Sequence, residues 1–104
     1  MLYYKGGILM IIAELSIVPI GDDVSVSKYV KVFLEELNNS NLKYEVGAMC
    51  TTVEAKNLEE LFDVVEKAHE KVMDMGVNRA ITSIKIDDRR DKETSIASKI
   101  EAVR

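Results

Sequence analysis

Apolar and polar positions along this chain recur with two different periods, and the switch between them marks the elements. Between residues 10 and 18 the side chains alternate. Ile11, Ala13, Leu15 and Ile17 fall on one side, and Ile12, Glu14, Ser16 and Val18 on the other. One row is wholly apolar and the other mixed, which predicts a strand covered on one face. In SVSKYVKVFLEELNNSN (25–41), Val26, Tyr29, Val30, Phe33 and Leu37 stand three and four residues apart. That spacing makes one helical stripe, with Ser25 placed to cap its start and the Asn/Ser cluster to stop it. NLEELFDVVEKAHEKVMDMG (57–76) repeats the pattern through Leu58, Leu61, Phe62, Val65, Ala68 and Val72. Asn57 and Glu60 have the spacing of a capping box, and Gly76 suits the left-handed position just past a helix.

KYEVG (43–47), TTVEA (51–55) and RAITSIKID (79–87) read as further strands. The connection AMC between the first two is short enough for a hairpin. Ile96, Ile100 and Val103 have helical spacing and predict a short third helix. The order is β-α-β-β-α-β with an additional C-terminal helix. This is an α+β, ferredoxin-like pattern, whose helices cover one face of the sheet. No linker, repeat or low-complexity segment interrupts it, so residues 10–104 read as a single domain and residues 1–9 as an N-terminal extension.

Parity sorts the strand residues onto two faces. Val53, Ala80, Thr82, Ile84 and Ile86 join the helix side. Thr52, Glu54, Arg79, Ile81, Ser83, Lys85 and Asp87 join Glu14 and Ser16 on the open face. In a ferredoxin-like sheet the first strand lies between the third and fourth. Glu14 and Ser16 are then expected between Glu54 on one side and Arg79, Ser83 and Lys85 on the other. Two readings follow. The open face is solvated and its charges form cross-strand pairs of roughly 0.2–1 kcal/mol each. Alternatively, because Ile12, Val18 and Ile81 share it, the face is an interface or ligand pocket. Two sheets packed face to face would enclose Glu14 and Glu54, and their charges would then need partners.

Composition narrows the function classes. A net charge of −4 argues against nucleic acid and acidic membranes as partners, both of which call for a basic surface. The apolar run from Ile8 to Ile20 is broken by Glu14 and is too short to span a bilayer. One cysteine, Cys50, and one histidine, His69, make neither an internal disulfide nor a zinc cluster, which fits a reducing cytoplasm.

Three segments, AELSIVPIG, YEVGAMCTTVEA and GVNRAITSIKIDDRRDK, together resemble the small thiamine-binding protein family, in order and spacing, across nearly all of residues 10–104. The resemblance implies a ferredoxin-like fold and homodimers joined through their sheets, pairing further into homotetramers. It implies thiamine or its hydroxymethylpyrimidine portion as ligand, and no cofactor. The family-like positions are Glu14, Ser16, Pro19, Gly21, Thr51, Glu54, Arg79 and Asp87. The chain departs at Ala48 and Cys50, where the family usually has proline and glycine around the methionine, and at Ala55, where a glycine is common. These changes alter the loop beside the pocket. The candidate ligand-binding set is Glu14, Ser16, Thr52, Glu54, Arg79 and Ser83, with no catalytic or metal-binding residue. A carboxylate can offset the thiazolium cation or accept from the amino group, and hydroxyls can bond the pyrimidine edge.

Other functions on this fold fit less well. An acylphosphatase-like enzyme needs a glycine-rich, arginine-bearing loop after the first strand, where VPIGDDVSVS offers two aspartates. A metal chaperone needs paired thiols, and RNA binding needs aromatic residues on the central strands. The expectation is a non-enzymatic binder. The alternative is a regulatory oligomer responding to a different small molecule. Cys50 reads as a packed small hydrophobe, His69 as structural or solvated and Tyr29 as core. The DDRRDK run reads as solvated charge, with Arg89 and Arg90 able to pin a subunit or an anion.

Overall fold

The computed structural model describes residues 3–4, 7–21 and 26–104, with the backbone alone at 3, 4, 7 and 8. The elements are β1 (Tyr3–Tyr4), β2 (Gly7–Ile8), β3 (Ile11–Pro19), α1 (Val26–Asn39), β4 (Lys43–Val46), β5 (Thr51–Ala55), α2 (Leu58–Met73), β6 (Ala80–Asp87) and α3 (Ile96–Glu101). β1 and β2 form a small antiparallel ladder of their own. The main sheet has the order β4-β5-β3-β6 and is antiparallel throughout, so β3 is central as the sequence predicts. The expected cap Ser25 lies outside the described residues.

α1 and α2 pack together over one face of the sheet. Leu15, Val53, Leu37, Leu61 and Val72 are the largest fully buried side chains, one set from each layer. Burying an aliphatic side chain of this size contributes about 1.5–3 kcal/mol, so this seam holds the helices to the sheet. Ile11, Ala13, Leu15 and Ile17 all lie in it, as the alternation requires.

Local signals explain the ends of α2. The Asn57 side chain accepts the Glu60 N–H at 2.8 Å. The Glu60 carboxylate accepts the Lys56 N–H at 3.3 Å, so the return arm of the expected capping box reaches one residue further back. Gly76 has φ of +91°, a left-handed conformation that glycine adopts without penalty, two residues past the C-cap Asp74. The buried stripe runs through Leu61, Val64, Val65, Ala68 and Val72. Phe62, expected in that stripe, is 46% exposed instead. It stands about 100° around the helix from Leu61 and falls, with Leu58, on the flank.

The expectation of helices on one face only is corrected by α3. This helix lies against the other face, at the end of the sheet nearest Ile12. Its Ser95 cap and Ser98 make a reciprocal capping box. It ends at Glu101, and Val103, expected to continue its apolar stripe, is exposed in the turn beyond. Ile12 lies among the mixed residues of β3 and needs cover. With α3 against it, Ile12 is only 4% exposed.

Candidate functional site

The register turns the open face into a set of rows. Across β4, β5, β3 and β6 the first row is Lys43, Glu54, Ile12 and Asp87, and the next is Glu45, Thr52, Glu14 and Lys85. Further along β3, Ser16 is opposite Ser83 and Val18 is opposite Ile81. Directly opposed side chains sit about 4.5–5.5 Å apart at Cβ, so each row is a line of neighbours. The exposed pair Val18 and Ile81 ends this face as an apolar step, at 47% and 48% exposure.

α3 occupies the first row. Its first backbone N–H, at Ile96, donates to Glu54 Oε1 at 2.5 Å, and Lys99 Nζ meets Asp87 Oδ2 at 2.5 Å. Glu54 is 8% exposed and serves as an anchor for the helix start, where negative charge is favoured. α3 also divides the hollows of this face. Glu54 lines one of about 520 Å³ with Lys43, Glu45 and residues of α3. Glu14 lines another of about 470 Å³ with Ile12, Thr52, Lys85, Asp87 and Lys99. The two carboxylates grouped from the sequence therefore belong to separate hollows.

Of the six candidate residues, Glu14, Ser16, Thr52 and Ser83 come together on adjacent positions of β3, β5 and β6. Arg79 stands apart. It precedes β6, and its carbonyl accepts the Ile20 N–H at 2.8 Å. Four residues of strand place it about 13 Å from Ser83. Cys50 and Lys99 complete the surroundings and were absent from the candidate set. Cys50 directly precedes β5, in the connection from β4. Burial, then the charge of Glu14 and a hydrogen bond to it, push its thiol above the ordinary range. Lys99 lies one position before Ile100 on α3, so the Ile96/Ile100 spacing was the available signal for it.

The β4–β5 hairpin fixes Cys50. Gly47 N–H donates to the Cys50 carbonyl at 2.8 Å, and a Cβ on Gly47 would stand 2.9 Å from that oxygen. Only a glycine allows this approach without displacement.

Other features close on themselves. A larger hollow of about 590 Å³ lies between the end of α1 and the start of α2, ringed by Glu36, Glu59, Glu60 and Asp63. Three of these carboxylates have lysine partners: Glu36 with Lys71 at 3.5 Å, Asp63 with Lys67 at 3.1 Å and Glu60 with Lys56 at 3.9 Å. It takes in no open-face residue. Arg89 is held by Asp91 and Arg90 by Asp88, at 2.7 and 2.9 Å. The Arg89 hydrogen bond holds Asp91 down to about 2. His69 Nδ1 is 2.7 Å from Thr82 Oγ1, linking α2 to the helix side of β6. Among the described residues there is no acidic, histidine or cysteine cluster for a metal, and no helix long and apolar enough to cross a membrane.

Comparison with known proteins gives consistent results. A family described as thiamine-binding protein matches residues 13–104. The UPF0045 protein of Methanothermobacter thermautotrophicus is 43% identical over 96 residues, covering 91% of this chain and 97% of that protein. The crystal structure of hypothetical protein MJ1052 from Methanocaldococcus jannaschii superposes with a TM-score of 0.82 at 41% identity, over 90% of this chain and 95% of that one. A Thermotoga maritima protein proposed to act in thiamine biosynthesis or salvage shares the fold, with a TM-score of 0.77 at 24% identity, over 91% of this chain and 99% of that one.

Proposed function

The chain belongs to the thiamine-binding protein family, and on that premise we propose that its open sheet face binds thiamine or the hydroxymethylpyrimidine portion of it, without turnover. The observation that carries this reading is the grouping of Glu14 with Thr52, Ser16 and Ser83 on neighbouring positions of one face. A carboxylate there offsets a ring cation or accepts from an exocyclic amine. The three hydroxyls each donate and accept, which matches the alternating edge of an aminopyrimidine. Stabilisation comes from charge-assisted hydrogen bonds, each stronger than a neutral one.

The hollow is open on its outer side, and in this reading a second copy of the chain supplies the missing wall. Val18 and Ile81 are the contact, because apolar side chains half-exposed beside a polar site gain by being covered. A homodimer through the open faces, paired further into a tetramer, would carry, store or sense the ligand. Native mass spectrometry of the full chain with thiamine and with hydroxymethylpyrimidine tests both parts. The expected spectrum shows a dimer or tetramer retaining ligand in proportion to its subunits. A monomer that retains neither compound at micromolar concentration contradicts the proposal.

A further inference from the structure

The open face keeps a carboxylate and an ammonium side by side without joining them. Glu14 and Lys85 are direct partners across β3 and β6, a position where opposite charges ordinarily meet. Among the described residues, however, the ion pairs formed engage neither of them. Glu14 instead neighbours the Cys50 thiol, which comes from the β5 side of the sheet. Lys85 lies exposed on the β6 side of the same hollow, outside these ion pairs. Lys99 enters that hollow from α3 and uses one donor on Asp87. An ammonium has three donors, so two remain.

A ligand filling this hollow of about 470 Å³, within the usual range for small-molecule sites, meets the Glu14 carboxylate and the Lys85 and Lys99 ammonium groups on its lining. A purely cationic ligand gains from Glu14 and is repelled by Lys85. A ligand with a cation at one end and an anion at the other gains from both. Asp87 does not reverse this, because its charge already has Lys99 as partner.

We infer that this site selects a phosphate monoester of its ring compound over the free alcohol, with Glu14 facing the cationic or amino-bearing ring and Lys85 and Lys99 facing the phosphate. This rests on the open-face reading and names the ligand class within it. Lysine serves such an anion as a point charge, with no need for the bidentate geometry that arginine supplies.

Calorimetric titration of the full chain with thiamine and with thiamine monophosphate tests it, with inorganic phosphate as a control for anion binding alone. The monophosphate should bind about tenfold tighter or more. In Lys85→Met the two affinities should converge from both sides: the monophosphate weakens and free thiamine tightens, because a repelling charge is gone. Lys99→Met should weaken the monophosphate less, since Asp87 is freed at the same time. Circular dichroism confirms that each variant is folded. If thiamine binds and the monophosphate binds no tighter, or if its advantage survives both lysine substitutions, the phosphate inference is overturned and the open-face site stands. An advantage matched by the affinity for inorganic phosphate alone also overturns it. If neither compound binds, both readings fall together.

Discussion

Glu54 on β5 accepts the backbone N–H of Ile96 at 2.5 Å, a bond between residues 42 positions apart that ties the start of α3 to the sheet. A hydrogen bond to a charged group contributes about 1.5–3 kcal/mol when its partner is buried. Glu54→Ala should lower unfolding free energy by about that amount and release amide protection throughout 96–101. Urea denaturation with hydrogen exchange reads both. Unchanged exchange in α3 would show that Ile96 packing alone holds the helix.

α3 also separates two substitutions that the alternation makes look alike. Ile12 and Ile81 share a face by parity. Ile12 lies buried near α3 at one end, whereas Ile81 is half exposed at the other. Ile81→Asp should leave the monomer folded and abolish the proposed assembly, as light scattering beside the native chain would show. Ile12→Asp should damage the fold, because it buries an unpaired charge. A folded, fully assembled Ile81→Asp protein would remove this face as the interface.

Alternation made the faces of the sheet legible from sequence, because a strand offers only two directions and the first row of β3 was wholly apolar. The strand order followed from the element order. The position of α3 did not, because the Ile96/Ile100 spacing reports a helix with an apolar side and says nothing about which surface that side meets. The bond from the Ile96 N–H to Glu54, 42 positions away, was therefore not legible from parity. Phe62 was misplaced for a related reason. A stripe read at three- and four-residue spacings has two possible centres, and the sheet beneath α2 chose the one through Val64. Parity made the shared face of Glu14, Ser16, Thr52 and Ser83 legible. Cys50 sits in a hairpin that parity does not extend through, and Lys99 depends on where α3 docks.

Two glycines should respond differently to alanine. Gly47→Ala places a Cβ 2.9 Å from the Cys50 carbonyl, so the hairpin must shift. Gly76→Ala meets no atom within 4 Å but is strained by its φ of +91°, at a cost of about 1–2 kcal/mol. Both should lower the denaturation midpoint. Amide resonances of 50–52 and of the facing residues 14–16 should move only in Gly47→Ala. Equal perturbation of that region by both would contradict the hairpin's role in placing Cys50.

The Cys50 thiol holds its proton more tightly in the folded chain than in the unfolded one, because of burial first and Glu14 second. The sign follows. This contribution to stability is present below the ordinary thiol range and is lost as pH rises through the folded pKa. A titration of the cysteine 13Cβ resonance should give a midpoint above the ordinary range, and Glu14→Gln should bring it down part of the way. No movement in Glu14→Gln would mean that the two groups are not neighbours in solution.

The central claim is that Glu14, in the open-face hollow, holds the ligand's cationic or amino-bearing ring. Calorimetric titration of thiamine against the native chain and Glu14→Gln, with oligomeric state verified in both, tests it most directly. Losing a charge-assisted hydrogen bond of about 1.5–3 kcal/mol corresponds to roughly a ten- to hundredfold weaker affinity, and that loss is the predicted result. Equal affinity in the two proteins, with the oligomer intact, would contradict the account and put the ligand elsewhere.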